Sequence, residues 1–153
     1  MADLPRDSVM GVSEMAPLRD GERVLAKWRA DAQTYWRGHG IMALVGGALA
    51  GGALMAMGNP TPWVGPVAAV AALGLRGWYL ASEAFAGVWR LTDQRLQGPG
   101  GREIALSAIA KARPFLGDVQ VVTTSGDKHL MKYMAEAGAV VAAIDAAKTG
   151  RRL

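Results

Sequence analysis

The sequence predicts a membrane α-helical hairpin of two transmembrane helices followed by a small α+β module, several short β-strands with a C-terminal helix. Three observations carry that prediction. No Asp, Glu, Lys or Arg occurs in the 38 residues between Arg37 and Arg76. This stretch is broken once, by GNPTP at 58–62. From about Val88 the charges return at regular spacing among β-branched residues. The surface of a soluble domain must be solvated throughout, so an uncharged stretch this long within 153 residues argues against an ordinary globular fold.

Each element has its own justification. Residues 1–21 are polar, carry Pro5 and Pro17, and read as a flexible cytoplasmic tail. Their acids, Asp3, Asp7, Glu14 and Asp20, speak against a secretory signal peptide. Residues 22–37 form a juxtamembrane segment. A bilayer core about 30 Å thick takes roughly 20 apolar residues, and residues 38–57 provide a first crossing, wholly uncharged from 41 to 57. The external loop 58–62 ends that helix, because Pro60 and Pro62 lack backbone donors and Gly58-Asn59 favours a turn. Residues 63–82 supply the second crossing, apolar except for Arg76 and the polar Ser82. Two crossings joined by so short a loop are antiparallel neighbours.

The flanks set the orientation. Trp36 precedes the first run, while Trp63 and Trp78 bracket the second, at the headgroup level that amphipathic rings prefer. Arg23, Lys27, Arg29 and Arg37 precede the first crossing and the loop carries no charge, which puts both termini in the cytoplasm. Arg76 is expected near the cytoplasmic end of its run, where it reaches phosphates as an anchor. Gly47 and Gly51 form a GxxxG pattern that lets backbones approach closely. The preferred occupant of that face is the second run, itself rich in Gly and Ala. A second copy of the chain, giving a homo-oligomer, is the alternative.

Residues 88–148 make the module. WRLTDQRL (89–96) reads as a strand, a Thr-Asp turn and a short strand, and GPGG (98–101) as a tight reversal. REIAL (102–106) alternates as a further strand, and 107–112 suggests a short helical turn. DVQVVTT (118–124), SGD (125–127) and KHLMKYM (128–134) have the pattern of a β-hairpin. Ala137, Val140, Val141, Ile144 and Ala147 then recur at helical spacing, ahead of Arg151 and Arg152.

Composition removes most chemistry. The chain has no cysteine, which excludes disulfides, thiolate metal sites and cysteine nucleophiles. His39 and His129 have no second ligand at metal-binding spacing. GPGG lacks the Lys-Ser/Thr of a phosphate loop, and no acid pair or nucleophile elbow is present. Neither catalysis nor a cofactor nor a metal is expected. The net charge of +4 belongs mainly to the C-terminal part. There Arg90, Arg95 and Arg102, with Lys111, Arg113, Lys128 and Lys132, are candidates for lipid or partner contact. Few aromatic residues interleave with them, so nucleic acid is not expected.

WRLTDQRL, REIALSAIAKA, GDVQVVTTSG and a last helix with VVAAI, preceded by GERVL at 21–25, together resemble the bacterial pleckstrin-homology-like domain of small membrane proteins. The resemblance spans about 21–147. This chain has Trp89 where the family has Tyr, and its loop at 98–101 is shortened. In the reading that completes the module, residues 22–29 return as its first strand, with the hairpin inserted after it. The resemblance implies a non-catalytic, membrane-anchored scaffold in the bacterial inner membrane. It would present a cytoplasmic pleckstrin-homology-like module to a protein or lipid partner. The competing expectation is an accessory or assembly subunit of a larger membrane complex, with the Gly/Ala-rich helices as its interface.

Overall fold

The computed structural model describes residues 15–150. Residues 1–14 of the expected tail, and Arg151 and Arg152, lie outside the described residues. The chain divides into two compact units, one running from Ala30 to Phe85 and the other formed by the chain before and after it.

The first unit is a pair of helices, α1 (Ala32–Ala56) and α2 (Val64–Ala86). The Asp31 carboxylate caps α1, accepting from the Thr34 N–H at 2.7 Å and its hydroxyl at 2.8 Å. These bonds, the backbone one foremost, hold the Asp31 carboxyl below its ordinary value. At the other end Gly58 takes φ +70°, and the N–H groups of Gly58 and Asn59 close on the carbonyls of Met55 and Leu54. The Asn59 side chain accepts from the Thr61 N–H and fixes the bend. Pro66 lies in the first turn of α2, where a missing donor is harmless.

Both helices run past the expected crossings at the ends away from the bend. α1 starts at Ala32 rather than 38, and α2 continues to Ala86 rather than 82. A charged or polar residue ends an apolar run without ending a helix. Gln33, Thr34 and Glu83 continue the turns, which stop at the Asp31 cap and just before Gly87. Both helices are long and apolar enough to cross a membrane.

Among the described residues the second unit holds seven strands in two antiparallel sheets. β1 (Val24–Arg29), β2 (Val88–Thr92), β3 (Arg95–Gly98) and β4 (Arg102–Ala105) lie in that order in one sheet. β5 (Ile109–Phe115), β6 (Asp118–Thr123) and β7 (Lys128–Met131) form the other, and α3 (Ala137–Lys148) packs on β5 and β6. β1 pairs with β2, and Arg29 stands opposite Val88. The chain therefore leaves the sheet and returns to it at adjacent positions, with both helices between two hydrogen-bonded strands.

Alternation buries one face of β6 and of β2 as far as Leu91, whereas all four residues of β3 are buried. Trp89, Leu91, Leu96 and Ile104 from the first sheet meet Val119, Val121 and Met131 from the second, with Val140 and Ile144 of α3 closing the core. Gly98 admits the Trp89 ring, since a Cβ there would lie 2.5 Å from it. The helical turn expected over 107–112 is shorter. A 3₁₀ turn covers Leu106–Ala108, and Ile109 already begins β5, because Ala112 pairs with Val121 of β6.

Candidate functional site

Three places gather the residues that carry chemistry. The first is the contact between α1 and α2. Gly47 and Gly51 are buried and both face Pro66, at 3.2 Å from the position of an added Cβ. Gly65 is tighter, since a Cβ on it would stand 2.7 Å from the Gly51 nitrogen and 2.8 Å from the Ala50 carbonyl carbon. The GxxxG face is thus occupied within the chain. Toward the other end, a Cβ on Gly77 would press against His39 and Trp36. The buried Tyr35 hydroxyl donates to the Gly77 carbonyl at 2.7 Å, and its ring packs on His39 and Phe85. The His39 Nδ1–H donates back to the Tyr35 carbonyl at 3.0 Å. Sequence reasoning assigned Tyr35 no role, because nothing local reveals that it reaches a carbonyl 42 positions away.

The expected interface anchors are all on these helices or at their bend. Trp36 and Arg37 lie in the opening turns of α1, Trp63 sits just before α2, and Trp78 is exposed on α2. Arg76 is exposed near the middle of α2, which continues past the expected crossing to Ala86. Its neighbour Gly77 faces His39, so Arg76 still lies level with the start of the uncharged run on α1.

The second place is the outer face of the four-stranded sheet, and here Arg95 overturns an expectation. Its side chain is 6% exposed and lies against Glu22, whose side chain is fully buried. Arg95 Nε and Nη2 each donate to the Glu22 carboxylate at 2.9 Å, Nη1 donates to Glu103 at 2.6 Å, and Nη2 donates to the Pro17 carbonyl. The Thr92 hydroxyl and the Arg19 N–H complete the shell around Glu22. The Arg95 guanidinium, with these two donors, holds the Glu22 carboxyl down to about 2 against the opposing effect of burial. Glu22 and Glu103 in turn raise Arg95. With its donors consumed inside the fold, Arg95 is not available to a lipid or partner.

Arg90 is half-buried, donating to Gln97 at 2.6 Å and to the Ala16 carbonyl at 2.5 Å. Gln97 also donates to Ala16. The network therefore ties residues 16–22 across the sheet. Of the three nominated arginines only Arg102 is exposed, with its guanidinium 5.8 Å from the centre of the Trp89 ring.

The third place is the outer face of the three-stranded sheet. Inward positions Val119, Val121 and Met131 are fully buried, so the alternate positions face out. There the register sets Arg113 beside Gln120 and Leu130, and Lys111 beside Val122 and Lys128. Phe115 and Leu116 stand at the hairpin apex, exposed. Among the described residues no group of His, Asp or Glu is placed to hold a metal ion. Compared with protein-family models, curated proteins and solved structures, the chain finds no match.

Proposed function

We infer that this chain is a membrane-anchored binding or scaffold protein without catalysis, its helices in a bacterial inner membrane and its strand unit in the cytoplasm. One observation carries the reading. Leu44, Leu49 and Leu75 are 74%, 70% and 66% exposed, with Met55, Val67 and Trp78 also open. Outward faces this apolar on both helices match hydrocarbon, whereas a core helix of a soluble protein would bury them. The return of the chain to an adjacent strand supports placing both flanks on one side. Two antiparallel sheets closed by a C-terminal helix support the pleckstrin-homology-like reading, with β1 as the strand that completes the module. Because Gly47 and Gly51 already face Pro66, the accessory-subunit alternative keeps only the outward helix faces as its interface.

The test uses the absence of native cysteine. Asn59→Cys and Asp127→Cys are made singly in the full chain and expressed in bacterial cells. Carbonate-resistant retention in the membrane, with an impermeant thiol reagent labelling position 59 but not 127 in intact cells, is the expected result. Recovery in the soluble fraction, or labelling at 127 alone, overturns the proposal.

A further inference from the structure

We propose that the β5–β6 apex, Phe115-Leu116, with the cationic face beneath it, docks on the surface of an anionic lipid bilayer. The inference rests on the membrane reading above and adds the surface and ligand through which the strand unit would act.

The first argument is conformational. Leu116 and Gly117 form the two-residue link between β5 and β6, with φ +50° and +87°. Positive φ at both positions is the signature of the hairpin turn that Asn-Gly or Gly-Gly fills most easily. A branched, apolar Leu is disfavoured in the left-handed region. It is also 93% exposed, so the fold gains no burial from it. A residue unfavourable for its backbone and useless to the core points outward to a contact beyond the chain.

The second argument is charge. Lys111, Arg113 and Lys128 share the outward face, and Lys132 follows β7 beside Tyr133, whose N–H donates to Asp118 at 2.8 Å. Among the described residues none of these four cations enters an ion pair. Of the nearby acids, Asp118 opens β6 opposite Phe115 and accepts from the Tyr133 N–H, and Asp127, in the turn after β6, accepts from the Ser125 hydroxyl at 2.7 Å. Apolar side chains at a tip flanked by cations suit an interface where the former enter the acyl boundary and the latter meet phosphates. The tether favours a bilayer over a protein pocket, since two membrane-crossing helices in the same chain keep the face near lipid at high effective concentration.

The experiment places an environment-sensitive fluorophore on Leu116→Cys in the full chain, held in nanodiscs. One set is phosphatidylcholine alone and the other contains one-third phosphatidylglycerol. In anionic discs the emission should shift to the blue and iodide quenching should fall about fivefold. High salt, or the Lys111→Gln, Arg113→Gln, Lys128→Gln, Lys132→Gln variant, should restore the values seen in neutral discs. A label that stays in water in both discs, as a protein pocket would require, overturns the proposal, and so does a shift indifferent to salt and cations. A chain washed from the disc by carbonate overturns this inference together with the membrane reading, while a retained chain with its label in water overturns only the docking surface.

Discussion

Replacing Glu22 with Gln should cut the stability of the strand unit by about 3 kcal/mol at neutral pH. The Glu22 carboxyl falls from an ordinary 4.5 to about 2 in the folded chain. At about 1.4 kcal/mol per unit, that displacement corresponds to roughly 3 kcal/mol. Breaking a buried ion pair independently suggests about 3–5 kcal/mol. Glu103, still bonded to Arg95 at 2.6 Å, holds the loss to the lower end.

The pH dependence has a definite sign. A carboxyl depressed on folding contributes in full above its unfolded value and loses that contribution as pH falls toward the folded one. The gap between parent and Glu22→Gln should therefore be complete at pH 7 and shrink to about 1 kcal/mol by pH 3. The assay is urea unfolding of the full chain in nanodiscs, read from Trp28 and Trp89 after Trp36, Trp63 and Trp78 are changed to Phe. Glu22→Gln combined with Arg95→Met should recover much of the loss, since a neutral pair leaves no charge stranded. A Glu22→Gln chain within about 0.5 kcal/mol of its parent at pH 7, or a gap constant down to pH 3, would refute the assignment of this pair as the staple.

Other outcomes follow from close approaches. Gly65→Ala should separate the helices, because its methyl would meet the Gly51 and Ala50 backbones, whereas Gly52→Ala, with open space around it, should not. Disulfide formation between cysteines introduced on facing turns reads the difference. Gly98→Ala should cost about 1–3 kcal/mol by driving a methyl into the Trp89 ring, measured by the same urea titration. Leu116→Asn should raise stability by up to about 1 kcal/mol, because Asn tolerates the left-handed backbone and no buried contact is lost. An unchanged or lower midpoint would contradict the strain assigned to that turn.

The elements were largely legible because their signals are local. The uncharged run and GNPTP mark two helices and a bend, and alternation in DVQVVT marks β6. What escaped depends on partners distant in the chain. Arg95 looks like a surface cation until Glu22, 73 positions earlier, is folded onto it. In Ile109-Ala-Lys-Ala112 the alanines suggest helix, yet pairing with β6 makes the segment a strand. The true start of α1 carried a readable sign in Asp31 and Thr34, but the apolar run drew the boundary later. The Leu116-Gly117 apex has the length of a hairpin turn and Gly at its second position, but Leu in place of Asn, Asp or Gly at its first left the turn signal weak.

Having β1 and β2 as neighbours in one sheet imposes an order on biogenesis. Arg29 emerges from the ribosome about 60 residues before Val88, a delay of roughly 3–12 s at 5–20 residues per second. Throughout that interval the amides of the first strand bond water and have no mate in the sheet. Only a chain that has completed its two helices can supply one, so closure of this sheet has to wait for the whole helical segment to be made.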